Sequence, residues 1–136
     1  MTSVSVPFYL FDRENDGARE RRVDRIVAES PAREPALLCA RCRHTITQER
    51  ERIAVSGAAE HDVVNPHGFR FHIGCFRHAP GCTPTGDATT EYTWFPGYAW
   101  RLAQCGQCRT HLGWHYTAEG DSFFGLILDR LRAHAA

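Results

Sequence analysis

The sequence predicts an all-β domain over residues 36–136, preceded by an extension of different character at residues 1–35. After residue 36 the apolar runs are short and turn-forming residues separate them, which favours strands over helices. Phe69, Phe71 and Ile73 alternate with Arg70 and His72, the pattern of a strand with one buried face. A chain of 136 residues with 43% hydrophobic and 11% aromatic residues is large enough for one domain with a hydrophobic core.

The N-terminal extension is dominated by charged residues after a short apolar start. Within it, residues 17–30 favour a modest helix, because Val23, Ile26 and Val27 share one helical face and Pro31 and Pro35 bound the segment. The periodicity is weak, so disorder is the alternative interpretation of this extension.

The domain divides into short strand-like runs. Asn65, Pro66 and Gly68 form a turn signal, since proline fixes φ and glycine permits a positive φ. Residues 80–87 are polar and predict a loop. Gly125 disfavours a helix interior by about 1 kcal/mol, so residues 122–131 predict a strand that ends in a helical turn. The other expected strands are residues 52–55, 62–64, 69–73, 89–93, 98–103 and 110–117.

Four of the six cysteines form two Cys-x-x-Cys pairs. A two-residue gap lets a tight turn direct both sulfurs at one ion about 2.3 Å away, and two such pairs complete a tetrahedral four-thiolate site. Such a site has no open position for water or substrate, so it is structural. The spacing therefore predicts one structural zinc ion, held by Cys39, Cys42, Cys105 and Cys108. Two separate redox-active or buried pairs are the alternative.

Two cysteines do not fit this tetrad. Cys75 follows the strand at residues 69–73 and is expected to be a packed thiol, as free cysteines commonly are. Cys82 lies in the predicted polar loop, where exposure is expected. The alternative is that one of them is a catalytic thiolate, which would require a neighbouring histidine or arginine to lower its pKa.

The charge balance excludes several function classes. Sixteen basic and sixteen acidic residues give a formal net charge of zero, without the basic face that nucleic acid or a membrane surface would require. The apolar patch at residues 6–11 lacks the features of a secretory signal, and no run is long enough to span a membrane. We therefore expect a cytoplasmic protein, in which clustered cysteines bind metal rather than form disulfides.

All three tryptophans lie within 21 residues, at positions 94, 100 and 114. Trp94 and Trp100 flank a turn at residues 95–98 that would fold the chain back and bring the two rings together. Clustered aromatic residues are often core. The alternative is an aromatic cage that encloses a flat or cationic ligand.

The motifs around these tryptophans closely resemble the thalidomide-binding domain of cereblon, also called the CULT domain. The resemblance rests on residues 91–100 (EYTWFPGYAW), 105–108 (CGQC) and 111–114 (HLGW), together with residues 39–42, 64–68 (VNPHG) and 123–126 (FFGL). These motifs occur in the same order and span residues 37–131, so the resemblance excludes the extension.

The resemblance implies a β-tent fold, in which two antiparallel sheets meet near the zinc ion. It also implies that Trp94, Trp100 and Trp114 wall a small pocket, with Tyr116 on its back wall. Asn65 and Pro66 would lie at the mouth. The ligand class implied is a cyclic imide such as glutarimide, whose polar edge would bind backbone groups of the segment Tyr92, Thr93 and Trp94. Animal cereblon has histidine at the position of Tyr92, so we expect the side-chain contacts to a ligand's distal ring to differ.

The resemblance carries further expectations about partners. The chain is similar to a single-domain type known from bacteria, for which a ubiquitin-ligase role is not implied. A peptide that ends in a cyclic imide, formed at asparagine or glutamine, would be the natural counterpart of the drug. The β-tent architecture is shared with methionine sulfoxide reductases, so an enzyme that uses Cys75 or Cys82 is the competing hypothesis to a binding module.

Overall fold

A computed structural model describes residues 35–134, and the predicted helix at residues 17–30 lies outside them. Between these residues the chain forms nine strands in two antiparallel sheets and two short 3-10 helices, at Glu49–Glu51 and Leu128–Arg130. The all-β prediction is confirmed. The strands are β1 (Ala36–Cys39), β2 (Thr45–Gln48), β3 (Glu60–Val64), β4 (Arg70–Phe76), β5 (Cys82–Thr89), β6 (Ala99–Cys105), β7 (His111–Ala118), β8 (Asp121–Ile127) and β9 (Leu131–Ala133).

The sheets differ in size. The small sheet has the order β9-β1-β2, and the large sheet has the order β3-β4-β8-β7-β6-β5. The prediction that residues 122–131 form a strand followed by a helical turn is confirmed, because β8 ends at Ile127 and the 3-10 helix at Leu128–Arg130 follows it. The turn at residues 65–68 is also confirmed: the N–H of Gly68 donates to the carbonyl of Asn65 over 2.9 Å, and Gly68 has a φ of +88°.

Two apolar clusters occupy the two faces of the large sheet. The inner cluster lies between the sheets, where Leu37 and Ile46 of the small sheet pack with Phe76, Leu112 and Leu126 of the large one. The outer cluster belongs to the large sheet and the loop before β6, and its buried members are Val63, Ile73, Cys75, Phe95, Trp114, Tyr116, Phe123 and Ile127. The large sheet is therefore covered on both faces, which explains the buried run at the end of β4.

Four sequence predictions about this part of the chain are wrong. Residues 80–87 do not form a polar loop, because most of them belong to β5 at the edge of the large sheet. An edge strand tolerates polar residues and a proline such as Pro84. Residues 52–55 form only isolated bridges, and residues 90–93 form turns rather than a strand. Phe69 does not share the buried face of Ile73, because it precedes β4 and is 65% exposed.

A β-bulge in β7 directs side chains to both faces. Ala103 pairs with Gly113 whereas Gln104 pairs with His111, which leaves Leu112 as the extra residue. Leu112 therefore points into the inner cluster, while His111 and Trp114 both reach the outer side. Bulges commonly redirect side chains in this way next to functional sites.

Gly113 is required at this bulge. A Cβ atom there would lie 2.1 Å from the carbonyl oxygen of Gly125 on β8. We expect Gly113→Ala to destabilise the domain by about 3 kcal/mol, which corresponds to a fall in melting temperature of more than about 10 °C. Gly120→Ala is the matched control, because Gly120 has a φ of +76° but open space around it. Its cost should be only about 1 kcal/mol, and equal losses in the two variants by calorimetry would contradict the close approach.

Candidate functional site

The four predicted metal ligands lie together where the two sheets meet. Their sulfurs are all within 4.8 Å of one another, so they can hold one metal ion. The first pair lies between β1 and β2 of the small sheet, and the second lies between β6 and β7 of the large sheet. A bound ion would therefore connect the two sheets.

The two cysteine pairs fold into matching turns. In each turn the first cysteine donates its N–H to the carbonyl five residues later over 2.8 Å. The residue after the second cysteine adopts a left-handed conformation, with a φ of 68° at Arg43 and 69° at Arg109. Each of these arginines donates its N–H to the carbonyl of the first cysteine, over 2.8 and 2.9 Å. Because the two turns have the same geometry, all four thiols are directed toward one shared position.

The sulfur separations fit a tetrahedral ion. Cys39 Sγ lies 3.7 Å from Cys108 Sγ, and Cys42 Sγ lies 3.5 Å from Cys105 Sγ. Four metal–sulfur bonds of about 2.3 Å give a tetrahedron with edges of about 3.8 Å, whereas a disulfide would bring two sulfurs to about 2 Å. The hydroxyl of Thr110 lies 3.0 Å from Cys108 Sγ, and this contact, followed by hydrogen bonding from the Thr110 backbone and from Cys42 and Cys39, lowers the pKa of Cys108 to about 6. That shift favours the thiolate, the form that binds metal.

A cavity of about 490 Å³ lies on the other face of the large sheet. The large sheet itself separates it from the metal site, because the cysteines pack in the inner cluster and the tryptophans in the outer one. The residues that line the cavity are Asn65, Pro66, His67, Phe71, Tyr92, Trp94, Trp100, Leu102, His111, Trp114 and Tyr116.

Three walls of the cavity are indole rings. Trp100 on β6 is paired directly opposite Tyr116 on β7, and Trp114 stands two residues earlier on β7, so all three share the outer face. Trp94 comes from the loop between β5 and β6, and its ring meets Trp114 edge to face at 4.8 Å and 87°. These four aromatic residues line one cavity, and we refer to them below as the cage.

Hydrogen bonds hold two of the walls in place. The indole N–H of Trp94 donates to the carbonyl of Val64 over 3.0 Å, and the indole N–H of Trp100 donates to the carbonyl of Glu91 over 2.7 Å. Both donors therefore bind the protein's own backbone, and the rings present their apolar faces to the cavity.

The loop that carries Trp94 is anchored by its next residues. Phe95 is 2% exposed and packs edge to face on Tyr116 at 4.9 Å and on Phe123 at 5.1 Å. The hydroxyl of Tyr98 donates to the carboxylate of Asp121, and this bond raises the pKa of Tyr98. These contacts fix the position of Trp94 relative to the sheet.

The same loop carries backbone groups that have no partner in the part of the chain that the structure describes. Tyr92 has a φ of +57° and is 73% exposed, so it is a strained residue at the rim of the cavity. Within residues 35–134, neither the N–H nor the C=O of Tyr92 or Trp94 makes a hydrogen bond. Both residues line the cavity, so the loop brings backbone donors and acceptors next to it.

The structure brings together most of the binding residues that the sequence predicted. Seven of the eight line the cavity: Asn65, Pro66, Tyr92, Trp94, Trp100, Trp114 and Tyr116. Thr93 instead lines a neighbouring, more open hollow, which it shares with Val64 and Trp94. The hydroxyl of Thr93 forms a hydrogen bond within its own loop, where Oγ1 donates to the carbonyl of Phe95 over 3.3 Å. The ligand-binding role of all eight stays a prediction.

Four further lining residues were missed by the sequence analysis: His67, Phe71, Leu102 and His111. Phe71 meets Trp114 at 5.4 Å and 72°, and thus forms another aromatic wall. The alternating pattern of residues 69–73 predicted that the side chain of Phe71 is buried, but it gave no sign that the ring lines a cavity. His111 reaches the site only through the bulge, which no sequence signal indicated.

His111 is held in its neutral form. Its Nε2 lies 2.9 Å from the carbonyl of Gly113, and Arg130 directs Nη1 toward its Nδ1 at 3.5 Å. Burial, opposed in part by the Gly113 carbonyl, lowers the pKa of His111, and the charge of Arg130 lowers it further. The cavity wall is therefore uncharged at this position, which suits a neutral ligand.

The two remaining cysteines are both buried. Cys75 lies in the outer cluster, as predicted, and burial raises its pKa to about 11. The prediction of an exposed Cys82 is wrong, because Cys82 begins β5 opposite Cys105 and packs in the inner cluster. Burial, followed by the nearby Cys105 and Cys39, raises the pKa of Cys82 to about 12.

The fold and the cysteine cluster define the described region as an all-β domain with two antiparallel sheets and one candidate metal site. No protein-family model matches the chain. The chain is 39% identical over 85 residues to protein cereblon of Gallus gallus, which covers 61% of this chain and 19% of that protein. It is 38% identical over 104 residues to protein cereblon of Xenopus tropicalis, which covers 71% of this chain and 23% of that protein.

A more distant relative, protein cereblon of Drosophila melanogaster, is 28% identical over 109 residues, 73% of this chain and 18% of that protein. The described region is therefore a cereblon-like domain of the CULT type. The chain spans about a fifth of the length of the curated relatives it matches. Within residues 35–134, no helix is long and apolar enough to cross a membrane.

Proposed function

We propose that this domain is a binding module for cyclic imides such as glutarimide and thalidomide-like compounds. The main support for this proposal is the cavity that Trp94, Trp100 and Trp114 line together with Tyr116. Its volume of about 490 Å³ lies in the range of small-molecule sites, about 300–1000 Å³. Most of the lining residues are aromatic and none is Asp, Glu, Lys or Arg, so a flat neutral ring is the ligand they suit.

The mouth of the cavity supports an imide in particular. An imide presents one N–H between two carbonyls, and burying these groups unpaired would cost several kcal/mol. The backbone groups of Tyr92 and Trp94 are the partners that we assign to them, since neither residue uses its N–H or C=O within the described chain. Backbone partners leave the aromatic side chains to enclose the rest of the ring.

We further propose that the physiological ligand is a peptide that ends in a cyclic imide. Pro66 and Tyr92 are exposed residues of the cavity lining, so we assign to them the mouth through which a chain attached to the imide would leave. We propose no nucleic-acid or membrane partner and no ubiquitin-ligase role for the domain. We assign the domain to the cytoplasm, because cysteine thiols stay reduced there and can bind metal.

We assign zinc to the four-cysteine site. Four thiolates at tetrahedral separation are the donor set of structural zinc sites, and they leave no position for water. The ion would therefore stabilise the fold, while the cage on the opposite face would bind the ligand.

The test of the binding proposal is calorimetric titration of the full metal-loaded chain with glutarimide. We expect one site with micromolar affinity, about −8 kcal/mol, and a change in tryptophan fluorescence that follows the same curve. N-methylglutarimide is the matched control, because its methyl group removes the N–H, and it should bind at least about tenfold more weakly. Absence of binding by glutarimide, or equal binding of the two compounds, would refute the proposal.

The structure weighs against the alternative of a sulfoxide reductase. A catalytic cysteine needs a depressed pKa, whereas burial raises the pKa of Cys75 to about 11 and that of Cys82 to about 12. We expect both thiols to react with iodoacetamide at pH 7.5 at least about a hundredfold more slowly than a cysteine peptide. Mass spectrometry of the labelled chain, with and without denaturant, measures this; rapid native labelling at either position would revive the alternative.

A further inference from the structure

Strand β3 forms one of the two edges of the large sheet. In antiparallel pairing, every second residue of an edge strand directs its N–H and C=O groups away from the sheet. The N–H of Asn65 donates to the carbonyl of Phe69, and the N–H of Cys75 donates to the carbonyl of Ala59, each over 2.9 Å. These two bonds fix the same alternation at both ends of β3. The residues whose backbone groups point outward are therefore Glu60, Asp62 and Val64.

These outward groups are accessible, and all but one lack a partner. Val64 is 46% exposed, and the side chains of Glu60 and Asp62 are 47% and 84% exposed. Among residues 35–134, the only hydrogen bond to an outward backbone group of β3 runs from the indole N–H of Trp94 to the carbonyl of Val64. Exposed and unpaired edge groups of this kind can pair with a strand of another chain.

The opposite edge of the large sheet, strand β5, is blocked to such pairing. Pro84 lies in β5 and has no N–H to offer to another strand. The guanidinium of Arg101 donates to the carbonyl of Gly86 over 2.9 Å and to the carbonyl of Pro84 over 3.3 Å. Strand β3 contains no proline and no such side-chain cover among the described residues. The two edges therefore differ, and β3 is the one that can accept a strand.

The open edge of β3 ends beside the cage. Val64 is the last residue of β3, and it lines an open hollow together with Thr93 and Trp94. A chain that leaves the cavity through this hollow would meet the N–H of Val64 first, and the groups of Asp62 and Glu60 beyond it. The residues that line both the hollow and the cavity are Asn65, Pro66, Tyr92 and Trp94.

We propose that the outer edge of β3 is a docking surface for the peptide chain that carries a terminal cyclic imide, and that this chain binds there as an added strand. The inference rests on the proposed function, in which the cage encloses the imide. From Val64 to Glu60 the strand rises about 13 Å, so the four residues before the imide are enough to cover it. Backbone pairing does not depend on side-chain identity, so the partner is any extended chain end that carries the imide.

The test titrates the full metal-loaded chain with an acetylated aminoglutarimide and with a tetrapeptide of alternating valine and threonine that ends in the same group. Two or three added backbone hydrogen bonds should make the peptide bind at least about tenfold more tightly. Two further peptides carry N-methyl groups, one on its first and third residues and the other on its second and fourth. Only one of these sets faces β3, so one peptide should lose the gain and the other should keep it.

Asp62→Pro is the matching change in the protein. Proline is tolerated at a sheet edge, and here it removes the outward N–H of Asp62. The variant should bind the tetrapeptide at least about fivefold more weakly and leave the affinity for acetylated aminoglutarimide unchanged. Asp62→Ala is the control, because it removes the carboxylate that binds His72 but keeps the backbone N–H, and it should change neither affinity.

The outcomes separate this inference from the binding proposal. If the wild-type chain binds neither acetylated aminoglutarimide nor the peptides, the proposed function fails. If acetylated aminoglutarimide binds but the tetrapeptide shows no gain, or the two N-methylated peptides bind alike, strand docking on β3 is wrong and the proposed function stands. A full gain in folded Asp62→Pro would contradict the docking as well. The peptide comparison uses the wild-type chain, so it decides the question even where the proline variant does not fold.

Discussion

Replacing Cys105 with serine is expected to unfold the domain. The free energy of metal binding at a structural four-thiolate site is about 10–16 kcal/mol, whereas a domain of this size is stable by only about 5–15 kcal/mol. The site also lies in the cluster that joins the two sheets, so its loss would leave the small sheet of three short strands without its main attachment. Circular dichroism and metal content of the purified variant, measured together, would show the loss of both structure and ion.

Cys82→Ala is the matched control for this prediction. Cys82 is paired opposite Cys105 and is buried in the same cluster, but it is not one of the four clustered thiols. We expect this variant to keep one zinc ion per chain and its β structure, with only a modest loss of stability. A Cys105→Ser protein that remains folded without metal, or a Cys82→Ala protein that loses its ion, would contradict the assignment of the ligands.

Trp100→Ala is expected to lower the affinity for glutarimide by about 30-fold to 1000-fold, because a buried tryptophan at the centre of a site typically contributes about 2–4 kcal/mol. The substitution removes one wall of the cavity and the hydrogen bond to Glu91 that holds the start of the loop. The metal site lies on the other face of the sheet, so we expect the variant to keep its zinc and its fold. Calorimetric titration of the folded variant measures the effect.

Phe124→Ala provides the comparison for a general loss of stability. Phe124 is a partly buried aromatic residue of the inner cluster, stacked on His115 at 4.3 Å on the face away from the cage. Its removal should lower the melting temperature but leave the affinity for glutarimide within about twofold. Unchanged affinity in folded Trp100→Ala, or an equal loss in both variants, would show that the cage is not the binding site.

Local signals in the sequence predicted the parts of the molecule that local chemistry determines. The cysteine spacing predicted the tetrad, because a two-residue gap fixes the turn geometry around each pair. Asn65 and Gly68 predicted their turn for the same reason. The strand and helical turn after Ser122 followed from the position of Gly125 in an apolar run.

Long-range packing explains what could not be predicted. The composition of β5 indicated a loop, because its polar residues and Pro84 are tolerated only through its position at the sheet edge. Phe71 looked like an ordinary core residue, although its ring forms a cavity wall through contact with Trp114. His111 enters the site through a bulge set by the close approach of Gly113 to β8, and that contact joins distant parts of the chain.

The relation between metal and cage is also clearer in the structure than in the sequence. The second cysteine pair lies between Trp100 and Trp114 along the chain, so the sequence predicts that the ion fixes the approach of the strands that carry them. The structure adds that the cysteines and the tryptophans lie on opposite faces of the large sheet. The ion can therefore influence the cage only through strands β6 and β7, which carry residues of both.

Binding of a cyclic imide by the tryptophan cage is tested most directly by a crystal structure of the full metal-loaded chain with glutarimide. We expect the ring between Trp94, Trp100 and Trp114, with its N–H and carbonyls about 2.7–3.2 Å from backbone atoms of Tyr92 and Trp94. An ordered glutarimide bound elsewhere, or a cavity without ligand at saturating concentration, would contradict it.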